Sequence, residues 1–197
     1  MHINIHNYNL PILIYIATIM LFIYLCSLII SYLFIKRIIF YINKFPNIVK
    51  QSPLTIYNQL SNMYGGKLLF NIIIRFMCPY SNSIYPIIEH YDNKKCICSI
   101  NENIRIKNPF NSIHALALGN LGELTSGLLI MEMLHQTNKK GIITKINCKY
   151  YKKARGKIIA TCNIYNFKNN TILTTLVDSN KNIVCKVTCV WNIIHNN

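Results

Sequence analysis

An α+β domain, in which a curled antiparallel sheet wraps one long central helix and a transmembrane helix precedes it, is the fold class that three features of this 197-residue sequence predict. Residues 11–35 form an unbroken apolar run. Residues 108–132 form a second apolar stretch with helical spacing and few polar side chains. Short alternating runs bounded by polar turns lie on both sides of that second stretch. The length leaves room for one domain and an appendage. The expected division is an anchor over 1–44, a linker and packing segment over 45–82, and the domain over 83–197.

Residues 1–35 contain no Asp, Glu, Lys or Arg, and the apolar run reaches the roughly 20 residues that a membrane-spanning helix needs. Lys36 and Arg37 stop it, and Lys44 and Lys50 follow. A cleaved signal peptide would start with basic residues and carry a shorter apolar core, so the expectation is a single-pass membrane anchor. The basic flank lies on its C-terminal side, which by the positive-inside rule places the C-terminal domain in the cytosol. That placement agrees with free thiols for the eight cysteines, which show no CxxC pair or Cys/His ligand set, so no metal site is expected.

The net charge of +15 admits an anionic membrane or an anionic ester as partner. Asn, Ile, Lys and Tyr abound throughout, as AT-rich coding would produce, so part of the excess has no physical role. With no dense arginine patch, zinc-finger spacing or basic strand interleaved with aromatics, nucleic acid is not an expected partner.

Two prolines and polar residues make 45–53 a linker. Residues 54–77 read as a helix broken near Gly65-Gly66, whose second part, LLFNIIIRFM, either lies on the membrane surface or packs on the domain; packing is the expectation. Beyond Pro79 the period changes to that of strands at 83–91 and 96–100, with a turn at 92–95. After the central helix and a polar turn at 136–140, strand-like runs follow at 142–151, 157–167, 172–178 and 183–194. Asn169-Asn170 and Ser179-Asn180 sit at two of the turns. Antiparallel strands with one helix inserted after the second let the sheet wrap that helix.

The central helix is entered through an Asn-Pro-Phe-Asn-Ser turn. Ala115, Gly119, Gly122 and Ser126 place small side chains on one face, which permits close packing against a sheet or a second copy. Asn120 and Glu123 lie one helical turn apart among leucines. Burial raises a carboxylate's pKa, and a carboxylate so poised can take a proton from water. Glu132, nearer the helix end, is expected on the solvated surface. His114 stands near the helix start, where unpaired N–H groups and the positive dipole end can stabilise an oxyanion.

Asn108, His114 and Glu123, spaced by six and nine residues, resemble the active-site segment of hotdog-fold acyl-CoA thioesterases of the phenylacetate-pathway type. The strand order also resembles the hotdog. The segment YYKKARG, at 150–156, followed by an alternating run, is similar to the family's strand-turn-strand. The combined phrase looks most like a thioesterase-like branch of that superfamily, over about 83–194.

The resemblance implies an acyl-CoA or related acyl thioester substrate, with coenzyme A as part of the substrate and no other cofactor. Glu123 would activate water or attack the carbonyl, Asn108 would orient the nucleophile, the Ala115 N–H would polarise the carbonyl oxygen, and His114 would support the loop. Asn120 is a candidate substrate contact, and Lys152, Lys153 and Arg155 would meet the phosphates of coenzyme A. A site between subunits implies a homodimer or higher homo-oligomer. The family's usual His-Gly-Gly reads His114-Ala115-Leu116 here. The alternative is therefore an inactive hotdog that binds acyl chains or serves as a membrane-tethered assembly module.

Overall fold

The computed structural model describes residues 9–43 and 51–195. The chain divides into two compact units, Met1–Lys50 and Gln51–Asn197. The first contains helix α1 (Asn9–Asn43), whose 23-residue stretch Ile14–Lys36 is long and apolar enough to cross a membrane.

In the second unit α2 (Pro53–Ser61) begins where Ser52 accepts a hydrogen bond from the Thr55 N–H, with Pro53 at the first helical position. Gly65, at φ 72°, turns the chain into α3 (Gly66–Met77), so the expected break at Gly65-Gly66 is present. Pro79–Asn82 then form a single helical turn, α4. The strand expected over 83–91 starts only at Ile87. Tyr85, with φ 51°, and Pro86 break the extended backbone before it.

Strands β1 (Ile87–Tyr91) and β2 (Lys95–Asn101) make a hairpin, whose turn is held by Asp92 accepting from the Lys94 and Lys95 N–H groups, both at 2.7 Å. The central helix α5 spans Ala115–Gln136. It starts later than its apolar pattern because residues 108–113 form a turn and a bridge, and it runs through Gln136. Strands β3 (Lys139–Tyr150), β4 (Lys157–Asn163), β5 (Thr171–Val177) and β6 (Ile183–His195) follow. The run at 157–167 ends as a strand at Asn163 and closes with a 3₁₀ turn, Ile164–Asn166. Asn169 and Asn170 both adopt positive φ, as a tight hairpin turn requires.

All six strands form one antiparallel sheet in the order β1-β2-β4-β5-β6-β3. The small-residue face of α5 meets it: Gly119 lies over Cys148 and Gly122 over Val187, and the Ser126 hydroxyl faces the Cys189 thiol at 3.6 Å. Leu121, Leu129 and Ile130 of the helix and Cys96, Cys98, Ile158, Ala160, Ile172 and Leu176 of the sheet fill the core. The eight cysteines are free thiols, as expected. Where α2 and α3 pack against β1, the rings of Tyr57, Phe70 and Tyr91 cluster, with centroids 5.0 to 6.3 Å apart, and the Tyr91 hydroxyl donates to the Leu128 carbonyl at 2.7 Å.

One edge of the sheet is closed by a side chain. Buried Asn71 of α3 accepts from the Ile88 N–H at 2.7 Å and donates to the Ile88 carbonyl at 3.3 Å, taking the place of a neighbouring strand on β1. Asn71→Ala leaves both backbone groups buried without a partner and should cost about 2–4 kcal/mol, read from denaturant midpoints at unchanged slope.

Candidate active site

Asn108 begins the turn that delivers the chain to α5. Its side-chain oxygen accepts from the Phe110 N–H at 3.0 Å, from the Ser112 N–H at 3.2 Å and from the Ser112 hydroxyl at 3.2 Å. Its backbone N–H donates to the Ser112 carbonyl at 2.8 Å, and Asn111 takes the left-handed φ of 54° that closes the loop. With the oxygen so engaged, the amide NH₂ has no protein acceptor among the described residues.

His114 caps the helix: its Nδ1 accepts from the Leu116 N–H at 3.1 Å, and its backbone N–H donates to the Ile106 carbonyl at 2.7 Å. The imidazole thus satisfies one N–H at the start of α5, and the backbone of His114 ties it to the loop before the helix. Ala115, the first helical residue, keeps an N–H with no protein acceptor among the described residues, at the positive end of a 22-residue helix. Its carbonyl accepts from the Tyr150 hydroxyl at 3.0 Å. Burial, followed by the neighbouring Cys148 thiol, pushes the Tyr150 phenol up, so the hydroxyl keeps the proton it donates.

Asn108, Ala115 and Tyr150 line a shallow, open cavity of about 350 Å³ together with Ser112, Ile113, Leu118 and the run Tyr151–Ala154, and His114 is not among its lining residues. Lys152 reaches it but is also paired with Asp178 at 2.6 Å, a contact that holds the Asp178 carboxyl down at about 2. Lys153 lines it with no carboxylate partner among the described residues. Arg155 is not among the lining residues; its Nε donates to the Asn111 carbonyl at 3.0 Å and steadies the same loop. Gly156, at φ 67°, closes the basic turn and exchanges hydrogen bonds with Glu102. Leu116 is 68% exposed and is not among the residues lining the cavity, so the residue in place of the second glycine does not fill it.

Glu123 lies eight residues further along α5, about 12 Å at the helical rise, and is not among the residues lining this cavity. It is half-buried, and burial alone raises its pKa; no cation or hydrogen-bond donor reaches its carboxylate among the described residues. Around it stand Cys78, Cys189 and Gly127. The Asn120 side chain, one turn before, donates from Nδ2 to the Tyr80 carbonyl at 3.5 Å, and its Oδ1 is buried without a partner. The structure therefore brings Asn108, Ala115, Lys152 and Lys153 together, and separately pairs Asn120 with the flank of Glu123.

Glu132 corrects an expectation. It is 7% exposed rather than solvated; one oxygen accepts from Gln136 at 2.9 Å and the other has no partner. The strand hairpin covers that side of the helix, bringing Tyr91 close to the carboxylate. Sequence reasoning also assigned no role to Ser112 or Tyr150, which fix Asn108 and Ala115. The tyrosine pair before the basic turn was the available signal for the latter.

The family described as a domain of unknown function, DUF4442, matches residues 66–193. No curated protein matches the chain. Among solved structures, a mutant of the thioesterase enzyme SAV0944 from Staphylococcus aureus aligns at 18% identity over 59% of this chain and 98% of that one, with a TM-score of 0.53. PA5026 of Pseudomonas aeruginosa, a protein of unknown function and probable thioesterase, aligns at 13% identity over 64% and 93%, with a TM-score of 0.57. The structural-genomics protein APC5556 aligns at 16% identity over 73% and 99%, with a TM-score of 0.59. At these identities the likeness is one of fold, the antiparallel sheet around a central helix known as the hotdog.

Proposed function

The chain belongs to the DUF4442 family and has the hotdog fold, and from that premise we propose that it is a membrane-anchored hydrolase of acyl-CoA or a related acyl thioester. The observation that carries the reading is the cavity at the start of α5, where the Ala115 N–H and the Asn108 amide are unengaged donors beside the exposed cation of Lys153. The thioester carbonyl oxygen is received by the Ala115 N–H, where negative charge develops as the carbonyl is attacked. Glu123 takes a proton from the attacking water, the tetrahedral intermediate collapses, and the C–S bond breaks. The products are the carboxylic acid and the thiol of coenzyme A, with the proton from Glu123 returning to the sulfur.

Glu123 does not line the cavity of its own chain, so a second copy supplies it. What supports a homodimer is β3, a 12-residue strand at the sheet edge, unpaired on its outer side among the described residues and carrying Ile142, 61% exposed, and Ile146. A long edge strand left open in this way can pair with another strand, the apolar Ile142 and Ile146 being covered between the lysines of the same strand. The apolar stretch Ile14–Lys36 and the basic residues after it support a single-pass anchor with the domain on the cytosolic side.

The chain purified in detergent and offered acyl-CoA esters of graded length should release free thiol; binding without turnover would instead favour the non-catalytic hotdog, for which Ala115-Leu116 in place of Gly-Gly is the motive. Lys153→Ala should raise KM for coenzyme A esters about three- to ten-fold at low ionic strength and less at high, with kcat unchanged, because an exposed charge contact is screened by salt. Steady-state kinetics at two salt concentrations read this.

A further inference from the structure

Helix α3 is apolar on two opposite faces. Phe70, Ile73 and Ile74 turn into the domain and are buried. On the other side Leu68, Ile72 and Phe76 recur at i, i+4 and i+8, where a surface helix normally carries polar residues. Leu68 is 60% and Phe76 81% exposed, and the chain on either side of the helix adds exposed tyrosines at 64 and 80.

Beside this stripe stand two guanidiniums. Arg75 and Arg105 lie 6.0 and 5.4 Å from the centre of the Tyr85 ring, and Arg105 donates to the Tyr85 hydroxyl. Arg75 also donates to the Pro86 carbonyl at 3.4 Å, while its Nε has no partner. Neither arginine has a carboxylate within ion-pair distance among the described residues, although the acids Glu89 and Glu102 nearby are held by Lys157 and Lys107. An apolar stripe, flanking aromatic residues and uncompensated cations are the composition of a helix that rests in a bilayer interface. The covalent chain adds a further argument. Only residues 44–50 separate the end of α1 from Gln51, a tether of at most about 30 Å when fully extended.

We propose that the outer face of α3, with Arg75 and Arg105, docks on an anionic lipid surface, its stripe among the acyl chains and its guanidiniums on headgroup phosphates. This rests on the membrane-anchored reading above and adds to it a second, peripheral contact. Because α3 ends at Met77 and the next residues, Cys78 and Tyr80, adjoin Glu123 and Asn120, the docked face is continuous with one flank of the candidate site.

The test uses the full chain reconstituted in vesicles of phosphatidylcholine with or without phosphatidylserine. Trp191 is the protein's one tryptophan and is buried, so an indole introduced by Phe76→Trp is read above a constant background, with Asn180→Trp, in the exposed turn between β5 and β6, as control. With phosphatidylserine present, emission from position 76 should shift to the blue and be quenched by lipids brominated along the acyl chain. Quenching should weaken without the anionic lipid or with Arg75→Gln and Arg105→Gln combined, and position 180 should stay open to iodide. Position 76 open to iodide and untouched by brominated lipid would overturn the proposal. So would protection from iodide that grows with protein concentration, which would make the face a contact between copies, and so would quenching that ignores lipid charge. Failure of the chain to float with vesicles after alkaline carbonate would instead remove the anchor itself, a result read independently of the fluorescence.

Discussion

Glu123→Gln should lower thioester hydrolysis by about 10²–10⁴-fold in kcat, the range that a positioned general base supplies, while leaving the protein folded and more stable than the parent. Both effects follow from one fact. Its carboxylate is half-buried with no compensating partner among the described residues, and desolvation raises its pKa above the ordinary carboxylate value. The raised folded pKa exceeds the unfolded one, so between the two values the native state binds more protons. Stability therefore falls as pH rises through that window and stays lower above the folded value. Activity runs the opposite way, since the base works only when ionised, and the acidic limb of the kcat profile should lie above the usual carboxylate range. An amide of the same shape removes both the cost and the base. Thiol-release kinetics across pH, beside thermal melts of parent and variant, give the two readings together; activity that survives the substitution would remove Glu123 from the chemistry.

Gly122→Ala should be the most destabilising of the conservative changes in α5, by about 1–3 kcal/mol or more from overpacking. It should do so although alanine is the better helix former by about 1 kcal/mol. A Cβ at this position would stand 2.5 Å from both Cβ and Cγ2 of Val187, and the Gly122 carbonyl is already fixed by the Thr174 hydroxyl at 3.0 Å. The helix cannot retreat without losing its seat on the sheet. Val187→Ala should recover much of the loss in the double variant, a coupling that a denaturation cycle measures directly. Gly127→Ala is the contrast. There the nearest atom is the end of the flexible Glu123 side chain, 3.3 Å away, and a small change of either sign is expected.

The fold was legible because its two strongest signals are physical periodicities. The small residues of α5 at three- and four-residue spacing mark the face laid on the sheet, and Gly119, Gly122 and Ser126 all meet it there. Alternation in residues 96–100 and 172–176 marks strands buried on one face, and the rows of Cys96/Cys98 and Ile172/Thr174/Leu176 are fully buried. Boundaries were less legible where backbone geometry overrides pattern: residues 83–86 have strand-like side chains, but Tyr85 sits at positive φ.

The two acids of α5 show the limit most clearly. On a helix that is apolar on every side, nothing local distinguishes the environment of Glu123 from that of Glu132, and the latter is the more buried because a distant hairpin and its Tyr91 cover it. For the candidate site, spacing located the loop of Asn108 and the helix start at Ala115, which the structure places around one cavity. The engagement of Lys152 by Asp178 and of Arg155 by Asn111 depends on contacts across 26 and 44 residues of chain, which no motif encodes.

In the proposed mechanism hydrolysis occurs at a site shared by two copies, with Asn108 and Ala115 from one chain and Glu123 from the other. Subunit mixing tests it most directly. Asn108→Ala and Glu123→Gln chains, each inactive alone, are co-expressed with different tags and the mixed species is isolated. In a two-fold dimer one of its two sites then holds both native residues, so the mixed dimer should recover about half the parental kcat. A mixed dimer as inactive as either parent variant would contradict the shared site and place Asn108 and Glu123 in the work of a single chain.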